Sequence, residues 1–369
     1  MKKIFISIPW FWPAYKAGGP IQSIINLVTQ YSNNIQYYIF TGNKDLGGEV
    51  LNGIKTDQWV EYNAHTKVWY ASHKATTALK NNVKEIVPDK LFIIGLFSPV
   101  FNIAPLLGIK KVQKIISPRG MLHPGALQQK PVKKKIFLFL LKNTKAIKTA
   151  VFHATDAEEE KWIRKHFGQQ AHVLPASNFP RLFQPKISHK EKGLLKLVSI
   201  ALISPMKNHL MVLEALAKCT GNIEYTIYGP VKDEFYWQRC LEQIKKLPPN
   251  IKVNYAGTLA SADVEDALKK ADVFIMPSQS ENFAHAICEA LSAGLPVITS
   301  NHTPWNQLKE FSAGINCNLD DRELAEAINF FADMDTEKFK GWSVAAITYI
   351  HEKIKTEIIQ EQYRQLFGI

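Results

Sequence analysis

Glu281 and Glu289 stand eight positions apart in the stretch PSQSENFAHAICEALSAGLPVITSNHTPW, from Pro277 to Trp305. Ionised carboxylates only accept hydrogen bonds, so such a pair suits the hydroxyls of a sugar. Lys207, within SPMKNHLMVLEALAK, falls where a loop opens a helix and is suited to neutralise a diphosphate. Arg119 follows the apolar run QKIIS in QKIISPRG. Its fixed fork of donors matches a phosphate or a carboxylate. Two glutamates at this spacing also occur on solvated helix faces, so the pair alone decides nothing.

These side chains need elements that aim them. The apolar run DVFIMP reads as a strand, the polar residues after it open a helix near Phe283, and PVITS supplies the next strand. Strand, loop, helix and strand in this order are the layout of a parallel α/β nucleotide site. The helix start offers unpaired N–H groups and a positive dipole end, a ready place for a phosphate. It puts Glu281 in the loop just before the helix and Glu289 about two turns into it. KKIFISIP reads as a first strand buried on both faces. A long loop then ends at Gly18-Gly19-Pro20, where glycine lets the backbone approach a ligand and proline fits an early helical position.

Further strands are expected at IQYYIFTG, Lys67 to Tyr70, Lys90 to Ile94, NIEYTIYGP (ending at Gly229) and NIKVNYAGTL (ending at Gly257). SADVEDALKKA reads as a helix with Ser261 as its N-cap. Strand and helix alternate throughout, which predicts an α/β protein of two doubly wound domains, and 369 residues suffice for both. Periodicity lapses from Ser177 to Gly193, the expected link. The first domain is set at 1–180 and the second at 190–349.

Hydrophobic residues make up 46% and charged residues 21%, an ordinary soluble composition. The four cysteines lack C-x-x-C spacing, which points to a reduced compartment. No stretch approaches twenty apolar residues, and Met1 to Ile8 is too brief for a signal peptide, so a cytoplasmic protein is expected. The net charge is +12, and between Lys90 and Thr155 twelve Lys or Arg occur with no Asp or Glu. Such a field attracts anionic lipid, nucleic acid or a polyanion. No R-G-F-type signature accompanies it, so nucleic acid is not expected. Residues 130–148 read as a basic helix with Ile136, Leu140 and Ile147, plus Phe137 and Leu141, at helical spacing. It is either an ordinary surface helix or one that docks on anionic lipid at the inner face of the plasma membrane. Asp333-Met334-Asp335 matches a D-x-D metal motif but lies far from any strand end, as a solvated turn would. His285 and Glu289 are four apart without a third ligand, so no metal is expected.

The string E-N-F-x-H-x-I-x-E, followed by EALSAGLPVI and TPW, closely resembles the donor-site signature of retaining glycosyltransferases of family 4, the group 1 transferases. SPRGML resembles a string found in a subgroup of them. The resemblance implies the GT-B fold, with two doubly wound Rossmann-like domains facing a central cleft and a helix at about 350–369 packing back on the first. The first domain would bind the acceptor and the second a nucleotide-sugar, UDP- or GDP-linked. It implies that Glu289 accepts hydrogen bonds from the ribose and that Glu281, with Asn282, Phe283, Ala284 and His285, holds the donor sugar. Gly18, Gly19 and Gly229 would approach the donor by backbone. Lys207, Arg119 and the helix start would take up the charge that grows on the diphosphate, without a metal or other cofactor. Transfer of a hexosyl or N-acetylhexosaminyl group to a glycan or lipid-linked acceptor of surface polysaccharide or lipopolysaccharide synthesis follows by the same analogy. Two positions depart from the pattern. Relatives carry arginine where Leu202 stands and glycine where Ala284 stands; helix propensity favours alanine there. The missing arginine keeps a second reading open, a non-catalytic GT-B protein that binds a nucleotide-sugar or glycan within an assembly.

Overall fold

The computed structural model describes residues 1–32, 34–127, 131–187 and 190–369, and the chain forms two compact units. Unit 1 comprises Met1–Phe179 and Thr356–Ile369, and unit 2 comprises Pro180–Lys355.

Unit 1 is built on β1 (Lys2–Ser7), β2 (Ile35–Gly42), β3 (Trp59–Asn63), β4 (Thr66–Ala71), β5 (Lys90–Ile94), β6 (Gln113–Ser117), β7 (Val151–Ala154) and β8 (Val173–Pro175). The order across the sheet is β3-β4-β2-β1-β5-β6-β7-β8. Its strands run parallel except for the β3–β4 pair, which is antiparallel. Ile4, Phe5 and Ile6 are 0% exposed, which is why the first strand is apolar at successive positions. The chain proceeds from β1 to one flank and returns to set β5 on the other, so strand order reverses there. The helix Thr356–Phe367 belongs to this unit: Phe367 packs edge-on to Phe92 at 5.7 Å, and Tyr363 stacks on Phe179 at 5.2 Å.

Unit 2 carries β9 (Leu194–Ile200), β10 (Asn222–Tyr228), β11 (Ile251–Gly257), β12 (Val273–Met276), β13 (Val297–Ser300) and β14 (Gly314–Cys317), all parallel, in the order β11-β10-β9-β12-β13-β14. Every residue of β12 and β13 is buried. Strand order reverses between β9 and β12, and the loops leaving those two strands border a crevice at their carboxyl ends.

Several expectations need correction. Residues 180–187 belong to unit 2 rather than to a loose link: the Phe183 N–H donates to Ser292 Oγ (3.0 Å) and the Lys186 N–H to the Ala293 carbonyl (3.0 Å). Unit 2 extends to Lys355, beyond 349. The basic helix is two pieces, Pro131–Lys142 and Lys145–Lys148. Thr144 ends one and caps the other, its hydroxyl donating to the Leu141 carbonyl (2.8 Å) and accepting from the Ile147 N–H; Lys130 lies outside the described residues. Ser261 opens a 3-10 turn and is no N-cap; its carbonyl and hydroxyl both accept from Arg181 at 2.8 Å. A strand absent from the sequence reading, β3, pairs with β4 around an Asn63 turn, whose side chain accepts from the His65 N–H (2.9 Å).

Candidate functional site

The crevice of unit 2 is walled by the segment after β9, which ends in a 3-10 turn at Pro205–Lys207, and by the segment after β12, which leads to the helix His285–Ser292. The two are stitched together. The Gln279 N–H donates to the Met206 carbonyl (2.9 Å), Gln279 Nε2 to the Pro205 carbonyl (3.2 Å), and Asn208 Nδ2 to the Pro277 carbonyl (3.1 Å). Lys207 Nζ forms an ion pair with Glu281, and both side chains are mostly shielded from solvent. Two residues separated by 74 positions are therefore brought into contact at the strand-order reversal.

A third segment, after β13, closes on the same loop. The Glu281 N–H donates to the His302 carbonyl (3.1 Å), and the Trp305 indole N–H donates to the Phe283 carbonyl (2.6 Å). The Phe283 ring lies 5.5 Å from Trp305 and 4.6 Å from His285. Trp305 thus holds the loop, a positioning role that reading its string as a signature did not assign.

The helix begins at His285, later than the expected start near Phe283, so Glu289 lies little more than one turn in. The cause is Ala284, which occupies the N-cap in a left-handed conformation with φ of 59°. The helix-propensity argument for alanine fails, because Ala284 is not in the helix and its methyl group disfavours this backbone. In the first turn of His285–Ser292 the Ile287 and Cys288 N–H groups both donate to the Ala284 carbonyl (3.0 and 3.3 Å).

Glu289 is 7% exposed, and no donor among the described residues reaches its carboxylate. Burial raises its pKa from 4.5 to about 7, against a lowering by the Arg181 guanidinium. A buried, donor-poor acceptor is costly to fold unless something supplies hydrogen bonds. Two further polar groups stand at the same strand ends. Both ring nitrogens of His209 are enclosed without a partner, and burial foremost, with the Lys207 charge, lowers its pKa to about 4. The Ser278 hydroxyl is enclosed and unpartnered as well. Neither was singled out in the sequence, since a lone histidine and a lone serine in these loops carry no spacing signal.

Gly229 has a sufficient packing reason: a Cβ there would meet the Ala201 carbonyl oxygen at 1.8 Å, and its φ is 141°. Gly18 and Gly19 lie in unit 1. Gly18, at φ 69°, is the N-cap of the helix Gly19–Gln30, and Gly19 faces open space. Arg119 also belongs to unit 1, at the end of β6 with φ of 53°. Its guanidinium donates to Asn178, while Nε and Nη2 are enclosed without a partner. Buried His153 is held neutral, its pKa lowered to about 3 by burial first and by Arg119 second. Asn282 lies in the stitched loop. Among the described residues no group of three or more His, Cys, Asp or Glu is placed to hold a metal ion. Asp333 and Asp335 flank the turn between two helices, where Asp335 caps Thr336–Lys353 by accepting from the Lys338 N–H (2.8 Å).

Residues 181–343 match the family model described as glycosyl transferases group 1. The sulfoquinovosyl transferase SQD2 of Arabidopsis thaliana is 29% identical over 140 residues, 33% of this chain and 26% of the relative. The GtfA subunit of the UDP-N-acetylglucosamine–peptide N-acetylglucosaminyltransferase of Limosilactobacillus reuteri is 24% identical over 236 residues, 58% of this chain and 43% of the relative. The chain thus spans less than half the length of these curated relatives. Among solved structures, Anabaena Alr3699/HepE, in complex with UDP and glucose, superposes with a TM-score of 0.72 over 100% of both chains at 16% identity. The chain therefore has the GT-B fold, and most of its second unit, residues 181–343, carries the match to the group 1 glycosyl transferases.

Proposed function

We propose that this chain is a glycosyltransferase that takes a nucleotide-sugar, UDP- or GDP-linked, in the crevice of unit 2. The observation that carries the reading is Glu289, a buried carboxylate with no donor at the strand-order reversal of a parallel sheet. Ribose hydroxyls are donors of the right kind, and binding them would offset the cost of burying the carboxylate. The diphosphate would lie toward the amino end of His285–Ser292 and Lys207, where the positive end of the helix dipole and a cation meet its charge. Glu281, freed in part from Lys207 as phosphate competes for the cation, would accept from the sugar. Asn282, Phe283, Ala284 and His285 would frame it. As the glycosidic bond breaks, negative charge grows on the leaving diphosphate, and fixed donors stabilise that charge more than the ground state. Arg119 and the Gly18-Gly19 backbone are what unit 1 offers to the reaction. Attack on the face from which the diphosphate leaves would retain the anomeric configuration, and no metal takes part.

The acceptor is proposed to be a glycan or a lipid-linked intermediate of surface polysaccharide or lipopolysaccharide synthesis, met at the inner face of the plasma membrane. What supports the membrane reading is the helix Pro131–Lys142. Leu138 and Leu141 face the core, whereas Val132, Ile136, Phe139 and Leu140 are between 55% and 68% exposed. They follow the i, i+4, i+7, i+8 pattern of one stripe, with Lys133 on one side and Lys135 and Lys142 on the other. Among the described residues no helix is long and apolar enough to cross a membrane.

Release of free nucleotide from UDP- and GDP-sugars tests the proposal. A transferase releases it slowly with water and faster with an acceptor. Stoichiometric donor binding without any nucleotide release would favour the second reading, a non-catalytic binder, which Leu202 in place of the usual cation also favours.

A further inference from the structure

Unit 1 holds a cavity of about 620 Å³ beyond the carboxyl ends of β1, β2, β4 and β5. The transfer proposed above gives it no part. Its walls are chiefly carbon, from Phe97, Val100, Phe101, Ala71, Ala75 and Met121, while exposed Lys44 stands at its edge. Of the polar side chains in the wall, Asn102, Ser98 and Ser72 are already engaged, the Ser98 hydroxyl accepting from the Phe101 N–H (3.2 Å). Asn102 Nδ2 donates to the Ile94 carbonyl (2.7 Å), Asn102 Oδ1 accepts from the Ser98 N–H (2.9 Å), and the Ser72 hydroxyl is bound to Asp57. A polar ligand would find few partners inside, and an apolar one would find surface to cover. Met121 is fixed in place, its sulfur accepting from the Leu96 N–H at 3.4 Å. The SPRGML string thereby supplies a wall of this cavity as well as Arg119.

A second observation bears on its occupant. The Phe97 ring, one wall of the cavity, lies 5.7 Å from the Phe137 ring, and Lys134 Nζ sits 5.1 Å from its centroid. Phe137 and Lys134 belong to Pro131–Lys142, the helix whose other side bears the exposed apolar stripe flanked by lysines. The cavity therefore shares a wall with the element suited to an anionic lipid surface. We propose that it receives the hydrocarbon tail of an amphiphile, with the polar head at the edge beside Lys44. That the amphiphile is the acceptor rests on the function proposed above; the binding of a tail does not.

The test is a calorimetric titration of the full chain with n-alkyl β-D-glucosides (hexyl, octyl and decyl) below their micelle concentrations. Each added pair of methylenes should tighten binding roughly tenfold. Ala75→Phe fills the cavity from a half-buried wall position, and Val100→Asp sets a charge in it. Both should abolish the chain-length dependence while the nucleotide that stabilises the parent chain, UDP or GDP, still raises the melting temperature as in the parent. Affinity that ignores chain length would overturn the proposal, since only the sugar would then be recognised. Dependence that survives in both variants would also overturn it, by placing the tail elsewhere, such as on the exposed stripe. Absence of stabilisation of the parent chain by both UDP and GDP would refute the nucleotide-sugar reading instead, and leave the chain-length result to judge the cavity alone.

Discussion

Replacing Glu289 by glutamine should change how stability responds to pH, by an amount the structure sets. The carboxyl has an ordinary pKa of 4.5 and is raised to about 7 by burial. The folded chain thus holds this proton more tightly than the unfolded chain. Stability from this group is fully present below 4.5 and is lost as pH rises through 7. A difference of two to three pKa units corresponds to about 3 kcal/mol at 1.36 kcal/mol per unit. Glutamine keeps the shape and does not titrate, so Glu289→Gln should gain about that much relative to the parent between pH 4.5 and pH 8. In a unit of this size 1 kcal/mol is worth about 2–4 °C, so the gap in melting temperature should widen by roughly 6–12 °C. Thermal unfolding of both proteins at half-unit pH steps reads this directly. Ligand binding gives the opposite sign for function: hydroxyl donors favour the ionised carboxylate, so UDP affinity of the parent should rise with pH up to about 7 and then level. Parallel melting curves for the two proteins at every pH would show that Glu289 is not held in a desolvated site, and the reasoning would fail.

Ala284→Gly should stabilise unit 2 by about 0.5–1 kcal/mol in urea unfolding. The left-handed backbone costs alanine about 1–2 kcal/mol, and glycine's extra chain entropy offsets only part of that. Lys207→Met leaves Glu281 shielded and unpaired, and should cost about 2 kcal/mol; the double variant Lys207→Met, Glu281→Leu should recover most of it, and a purely additive cycle would deny the pairing. Trp305→Phe removes the indole N–H bonded to Phe283 and should cost about 1 kcal/mol while weakening donor affinity more than turnover, measured as separate KM and kcat changes. Exchanging Lys133, Lys135 and Lys142 for glutamine should lower partition onto anionic vesicles about a hundredfold, at about 1 kcal/mol per lysine, and unchanged flotation would discount the lipid surface.

Much of the fold was legible because buried parallel strands announce themselves as apolar runs: KKIFIS, VFIM and VITS each became a strand at a sheet centre or beside it. The position of Lys207 and Glu281 beside strand ends was legible too, since both stand out as charges close to such runs. What was hidden depended on distance along the chain or on backbone detail. No local pattern says that Lys207 and Glu281 pair across 74 residues, or that Asn208 and Gln279 stitch the same two loops. The left-handed Ala284 looked like an ordinary helix residue, which moved the expected helix start by two positions. In KKKIFLFLLK nearly every face is apolar, so periodicity could not choose between Leu138 and Phe139 as the inward residue. β3 was missed because five residues of mixed polarity at a sheet edge give no clear alternation.

The sharpest test is an equilibrium titration of UDP, and separately of GDP, against the parent chain, Glu289→Ala and Lys207→Ala, each first shown to be folded. One of the two nucleotides should bind the parent saturably and lose at least tenfold in affinity in each variant, as follows when a charged partner of a bound ligand is removed. Equal affinity in all three proteins would contradict it, because the nucleotide would then be held somewhere other than the crevice these two residues line.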